Sequence, residues 1–466
     1  MPHGLLVDRA REIRVLDEVW EAGRPSLVVL YGRRRLGKTF LATGWARLRR
    51  LPMLYLVVNY SDPGPALLDL EQQLEEQLGI RPRIGDMRGL ARLLERLFCG
   101  SRRVLVIDEF QRLAEAGLPQ LLQSLWDSRL STCPTGSLLL LLGSSVGAVE
   151  RVALHGGAPL YGRAQRLLRL QPMRFVEAYP FLRGAPSLEE AFSLYAVFGG
   201  TPYYLSLLEP RLGLLENIRR LVLSPGAPLL EEPLRILLAE VREPDRYNAI
   251  LEAVASGATR LSEIASRTGV AATSLPRYIR VLETMGLIER ARPLGGESRG
   301  VYRVADNFFR FWYRHVAPRS FLLEQGLYEQ AAARVAAELS RDTAEAWEAE
   351  SLHHFLHVLA SRGEEPLEAG PYWRRGVEVD AVVVTRGGSV YGLEAKWSSL
   401  GPRDVARVAA RLEAKLEQTP WARRGLRIRA VVYARSVSGE PPPGVEVHTL
   451  EELALEGEAT PTHRLP

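Results

Sequence analysis

A short apolar run, Ser26-Leu27-Val28-Val29-Leu30-Tyr31, leads directly into Gly32-Arg33-Arg34-Arg35-Leu36-Gly37-Lys38-Thr39 and then into a helical pattern from Phe40. Strand, glycine-bounded loop, lysine, hydroxyl and helix together form a phosphate-binding arrangement. Gly32 and Gly37 let the backbone curl so that its N–H groups face phosphate oxygens, and the helix adds its positive N-terminal end. Lys38 is placed for the β- and γ-phosphates and Thr39 for Mg²⁺. The plainer reading is a glycine turn before an ordinary helix. A second segment argues against it: Val104-Leu105-Val106-Ile107-Asp108-Glu109-Phe110-Gln111 is an apolar strand ending in two acids. Asp108 suits the metal, and Glu109 can polarise a water.

Further strands are expected at 53–58, 103–108 and 138–142, each followed by an amphipathic helix. Continuous apolar strands separated by helices predict an α/β fold with a parallel sheet covered on both faces. Ser144, in Gly143-Ser144-Ser145, is either a γ-phosphate sensor or a helix cap. Arg163, in Pro159-Leu160-Tyr161-Gly162-Arg163, could reach the nucleotide in cis or from a neighbour, or form a surface salt bridge. With Phe198-Gly199-Gly200-Thr201-Pro202-Tyr203-Tyr204-Leu205, these motifs resemble the archaeal ATPase family, in the STAND branch of AAA+-related P-loop NTPases. The resemblance covers roughly the first 240 residues. It implies an ATP- and Mg²⁺-binding core over residues 1–205 and a helical lid over 206–245. The implied nucleotide contacts are Gly32, Arg33, Arg34, Arg35, Leu36, Gly37, Lys38, Thr39, Phe40 and Ser144.

Composition sharpens the choice of residues. The chain has three lysines among its 60 basic residues. Lysine is a compact point charge and arginine a planar fork, so a lysine in such a chain marks a place where arginine does not serve. Lys38 lies in the phosphate loop and Lys396 in a second motif described below; Lys415 reads as an exposed helix position. The net charge of +5 is compatible with a nucleic-acid partner without requiring one. Two cysteines, Cys99 and Cys133, cannot build a disulfide framework, and a reducing cytoplasm is the expected compartment. The N-terminus does not read as a signal peptide, and no apolar run reaches membrane-spanning length.

Residues 246–305 pattern as three short helices and a hairpin: 247–256, 261–268, 273–285, then Leu287-Ile288-Glu289-Arg290 and Gly300-Val301-Tyr302-Arg303-Val304. This resembles a winged helix-turn-helix, whose third helix enters the major groove. Ser274, Arg277, Tyr278 and Arg280 are its expected DNA contacts, and Arg290, Arg292 and Arg299 the expected lining of the wing. Such modules also dock proteins. The five aromatics of Phe308-Phe309-Arg310-Phe311-Trp312-Tyr313 could stack on bases, but a buried helix seam is the favoured reading within a helical linker over 306–345.

Residues 346–460 carry the second motif. Glu378-Val379-Asp380 opens an apolar strand, a turn follows, and Leu393-Glu394-Ala395-Lys396 returns antiparallel. Period-two geometry puts Glu394 and Lys396 on one face, and pairing can bring Asp380 beside them. Two carboxylates suit Mg²⁺, and a lysine can orient or deprotonate an attacking water. The pattern resembles the PD-(D/E)xK nuclease superfamily, with Val379 where that family commonly has proline. A further metal-binding acid is expected from the preceding helix: Glu350 rather than Glu348, since Leu352 and Leu356 then face the core. A surface hairpin with an i, i+2 ion pair is the alternative.

Together these readings predict an ATP-hydrolysing protein whose nucleotide state controls a DNA-binding winged helix and a metal-dependent nuclease-like tail. The alternative is an ATP-dependent switch, or scaffold for a protein partner, with an inactive tail.

Overall fold

The computed structural model describes residues 5–295 and 300–464. Two compact units emerge: residues 1–172 with 461–466, and residues 173–460.

The first unit is built on a parallel sheet of five strands: β2 (Ser26–Tyr31), β3 (Met53–Val57), β4 (Val104–Asp108), β5 (Leu138–Gly143) and β6 (Arg166–Arg169). Their order is β3-β4-β5-β2-β6. Side chains of β2, β4 and β5 are buried on both faces, because helices cover both sides. β5 lies between β2 and β4, which puts its end, Gly143-Ser144, between the phosphate loop and the two acids. A small additional pair joins β1 (Leu5–Val7) to β14 (Thr462–Arg464), in register Leu5 with Arg464 and Val7 with Thr462. Cys99 and Cys133 are joined as a disulfide with Cα atoms 5.3 Å apart. The spacing of two lone cysteines gave no sign of that link.

The second unit begins with helices around Phe175, Phe192 and Tyr204, whose rings share one core with the segments that follow. Three helices, Pro244–Ala255, Leu261–Thr268 and Leu275–Thr284, lead into the hairpin of β7 (Ile288–Ala291) and β8 (Val301–Val304). All five aromatics of 308–313 are buried. Arg310 and Arg314 there face Asp342 and Glu345, and His315 bonds Asp342.

The tail is a five-stranded mixed sheet: β9 (Pro366–Arg374), β10 (Val377–Thr385), β11 (Ser389–Leu400), β12 (Arg427–Val437) and β13 (Glu446–Thr449), ordered β13-β12-β11-β10-β9. β9, β10 and β11 form an antiparallel meander, and β11, β12 and β13 run parallel. Helix Pro402–Glu417 makes the parallel crossover between β11 and β12. Helix Ser340–Ser361 contributes Trp347 and Phe355 to the core shared with Tyr391, Leu393 and Tyr433. The wing is packed against this sheet. Leu294 N–H donates to Pro371 O at 2.9 Å, and Gly295 lies so near the Trp421 ring that a Cβ there would stand 3.1 Å from it.

Candidate functional site

In the first unit the strand order gathers the expected phosphate-site residues. Gly32 has φ +152°, and a Cβ there would meet Leu170 O at 2.7 Å, so only glycine fits between loop and neighbouring backbone. Gly37 (φ 82°) caps helix Lys38–Leu48. Lys38 Nζ is buried and donates to Gly32 O at 2.8 Å and Arg33 O at 3.1 Å. Arg33 and Leu36 are buried, Phe40 is half-buried, and Arg35 takes a left-handed φ of 73°.

Thr39 Oγ1 donates to Asp108 Oδ2 at 2.5 Å, so the two residues expected to hold Mg²⁺ already meet. Tyr55 OH donates to the same oxygen at 2.7 Å. Burial and the neighbouring Asp108 raise the Tyr55 phenol, keeping it a proton donor. Glu109 has φ 55°, and its Oε2 accepts from Ser144 Oγ at 2.7 Å and Gln111 Nε2 at 2.6 Å. Ser144 therefore bonds the acid expected to act on water, and its side chain caps no helix. Arg163, expected either at the nucleotide or in a surface salt bridge, is held by an acid in this structure. Its guanidinium grips Asp127 at 2.7 and 2.8 Å and donates to the carbonyls of Pro159 and Tyr161, so the salt-bridge alternative describes it.

Sequence reasoning missed three supports here. Tyr55 and Gln111 hold the acids, and buried Arg9 donates to Leu36 O at 3.5 Å and Gln171 O at 3.0 Å. Tyr55 had a faint signal, a phenol in an otherwise apolar strand.

In the helix-turn-helix, Arg277 and Arg280 are exposed at the expected third helix and Ser274 is exposed just before it. Tyr278 is the correction. It is buried, packs edge-on to Tyr247, and its OH bonds Arg246 Nη1 at 2.7 Å and Glu243 Oε2 at 2.8 Å. Leu275, Tyr278, Ile279 and Leu282 form one apolar stripe at helical spacing, and Tyr278 belongs to it. Arg290 and Arg292 are exposed; Arg299 lies outside the described residues.

In the tail, Ala381 pairs with Leu393, which sets Asp380 opposite Glu394 on adjacent strands. Asp380 Oδ2 accepts from Ala395 N at 2.8 Å. Lys396 Nζ donates to Glu394 Oε1 at 2.7 Å and Lys415 Nζ to Oε2 at 3.1 Å. Burial, then the Glu394 charge, raise the Asp380 carboxyl. Burial opposes the opposite shift at Glu394, yet the two lysines hold it below the usual range.

Glu350 is not in this group. It is buried, accepting from Tyr195 OH at 2.7 Å and Phe175 N at 3.2 Å, with Arg174 at 3.7 Å. It lies on the buried face of its helix beside Phe175 and Tyr195, whereas Leu352 and Leu356, expected on the core side, are only half-buried. Glu348 is the acid nearest the site in electrostatic terms. Crowding by protein atoms, then the charges of Asp380 and Glu345, push it up to about 7. Its side chain still reaches solvent. Among the described residues no three His, Cys, Asp or Glu side chains stand together as a ready metal cage. The donor chemistry still fits a hard cation: Asp380 and Glu394 are like charges side by side, which a divalent ion relieves.

Comparison with known proteins finds three matching segments in the chain. Residues 22–146 match the family described as "AAA domain", and 244–292 match the "IclR helix-turn-helix domain". Residues 312–408 match a family of "Archaea bacterial proteins of unknown function". The first unit thus combines a P-loop arrangement with a match to an AAA domain, and a segment matching a helix-turn-helix domain and a mixed-sheet tail follow it. An uncharacterized Methanocaldococcus jannaschii protein, MJECL04, is 28% identical over 417 residues, 87% of this chain and 90% of its own. The Walker-type ATPase PABY2304 of Pyrococcus abyssi aligns with 66% of this chain and 96% of its own, at 22% identity and TM-score 0.47. The Aeropyrum pernix ORC2 protein (ADPNP–ADP complexes) aligns with 69% and 96%, at 16% identity and TM-score 0.45. Among the described residues no helix is long and apolar enough to cross a membrane.

Proposed function

We propose that the chain is a Mg²⁺-dependent ATPase of the cytoplasm whose nucleotide state governs DNA binding by the helix-turn-helix and DNA cleavage by the tail. The observation that carries the ATPase half is the contact of Thr39 with Asp108 beside a buried Lys38. Mg²⁺, when bound, offsets phosphate charge, and Thr39 and Asp108 would hold it. Lys38 binds the phosphates in exchange for its loop carbonyls, and Glu109, positioned by Ser144 and Gln111, orients the attacking water and draws its proton.

The tail reading rests on Asp380, Glu394 and Lys396 meeting on adjacent strands. Asp380 and Glu394 would hold a divalent ion, which supplies charge stabilisation at a phosphodiester. Lys396 would orient the water. Nucleotide control is supported by where the chain leaves the first unit. Leu170 packs against Gly32, Gln171 bonds Arg9, and Arg9 bonds Leu36 of the loop.

The test is cleavage of labelled single-stranded, duplex and branched DNA with Mg²⁺ or Mn²⁺, with and without ATP. Cleavage lost in Asp380→Ala and altered by ATP is the expected result. One observation favours a second reading, a nucleotide switch with an inactive tail: both Glu394 oxygens are taken by lysines. Absence of cleavage under every condition, with ATP turnover intact, selects it.

A further inference from the structure

All three lysines of this chain turn out to contact a site residue or loop, and the third is unexplained by the motif that drew attention to the tail. Lys415 lies near the C-terminal end of helix Pro402–Glu417, far from Lys396 in sequence. Its reach depends on a glycine. A Cβ at Gly392 would stand 2.6 Å from Leu416, so β11 carries glycine where the helix presses closest. That approach sets Lys415 beside Glu394, two residues along the strand from Gly392. The Glu394 side chain is 12% exposed and accepts one lysine on each oxygen.

We propose, building on the reading of the tail as a divalent-metal nuclease, that Lys415 is a positioning residue that makes metal binding depend on DNA. With an ammonium on each oxygen, the lone pairs left on Glu394 already face positive charge and bind a cation weakly. Charge balance gives the reason. Two lysines already neutralise the Asp380 and Glu394 pair, and Glu348 adds at most one further negative charge, so a divalent ion added alone leaves at least one positive charge uncompensated in a half-buried place. A DNA phosphodiester supplies the missing negative charge. Lys415 moves to the phosphate, one Glu394 oxygen is released to the ion, and the two ligands bind together or weakly. An arginine at 415 would hold Glu394 through a fixed two-pronged fork and release it poorly, which accounts for a lysine in a chain that otherwise uses arginine.

The experiment measures Mn²⁺ binding to the full chain by calorimetry without nucleotide, with and without a short duplex, taking Asp380→Asn as the background. In wild type, duplex is expected to tighten Mn²⁺ binding by about tenfold. In Lys415→Met, Mn²⁺ binds without DNA as it does to wild type with DNA, and the coupling falls below about twofold. In Lys415→Arg, Mn²⁺ binding is weaker than wild type even with duplex. Circular dichroism confirms that each variant is folded. Wild-type coupling retained in Lys415→Met overturns the role of Lys415 and leaves the metal site standing. Mn²⁺ binding that is absent from wild type, or unchanged in Asp380→Asn, overturns the tail as a metal site and this inference with it.

Discussion

Lys38 holds two loop carbonyls that phosphate oxygens would replace, and its charge is buried. Lys38→Ala should therefore weaken ATP binding by about 100-fold, or ~3 kcal/mol, in a fluorescent-nucleotide titration. Unchanged affinity would remove the clamp assignment. Glu109→Gln should keep that affinity and slow hydrolysis by about 10² to 10⁴, a split that separates water activation from binding. Glu348 gives a pH prediction. Its carboxyl is raised to about 7 from the ordinary 4.5, so the folded state holds a proton that the unfolded state loses. Stability carried by this group is present at low pH and declines as pH rises from about 4.5 through 7. In EDTA, Glu348→Gln should melt higher than wild type at pH 8 and nearly equal to it at pH 4.5. An equal gap at both would exclude the shift. Legibility followed motif spacing. Lys38, Thr39 and Asp108 were readable because loop, strand and acid fix one another locally. Arg163 and Glu350 were not, because their partners Asp127 and Tyr195 are set by tertiary packing. Lys415 was readable in principle: the rarity argument applied to it as much as to Lys38.

On helix Leu275–Thr284 two side-chain roles separate by face. Tyr278 is core and its neighbours Arg277 and Arg280 are exposed. Tyr278→Ala should destabilise the folded chain by about 3 kcal/mol, seen in denaturant unfolding, through loss of buried ring volume and the Arg246–Glu243 bond network. Arg277→Ala and Arg280→Ala should leave stability within about 0.5 kcal/mol and weaken DNA binding, each lowering the slope of log K against log salt by about 1. Loss of stability without loss of DNA affinity in the arginine variants would reassign this face to protein docking. The stripe 275, 278, 279, 282 was visible in the sequence, but a tyrosine reads equally as a reader of bases or as core. β9 was invisible for a different reason. Pro366, Gly370 and Pro371 interrupt it, its first residues are exposed, and an edge strand lacks the apolar alternation that marks interior ones. β10 and β11 were legible because their apolar runs are continuous around Asp380 and Glu394.

The largest-scale feature is an insertion: the chain leaves the first unit after Pro172 and rejoins it at Pro461. Both connections arise near the phosphate loop. Leu170 O limits Gly32, while Asp8 N–H donates to Pro461 O at 2.8 Å, immediately before Arg9, which bonds Leu36 O and Gln171 O. The pairing of β1 with β14 thus holds Arg9 against the loop using residues more than 450 positions apart, a contact that no local pattern could reveal. Ending the chain at Thr460 removes the partner of β1 and should loosen Arg9. The expected loss is about 1–2 kcal/mol, from one or two hydrogen bonds, read as a several-fold weaker ATP affinity and a lower thermal midpoint. Arg9→Gln in the full chain should reproduce the affinity loss with a smaller effect on the midpoint, because the strand pair remains. If the truncated chain binds ATP as tightly as the full one, β14 is only an edge closure, and the link between the loop and the returning chain has to be abandoned.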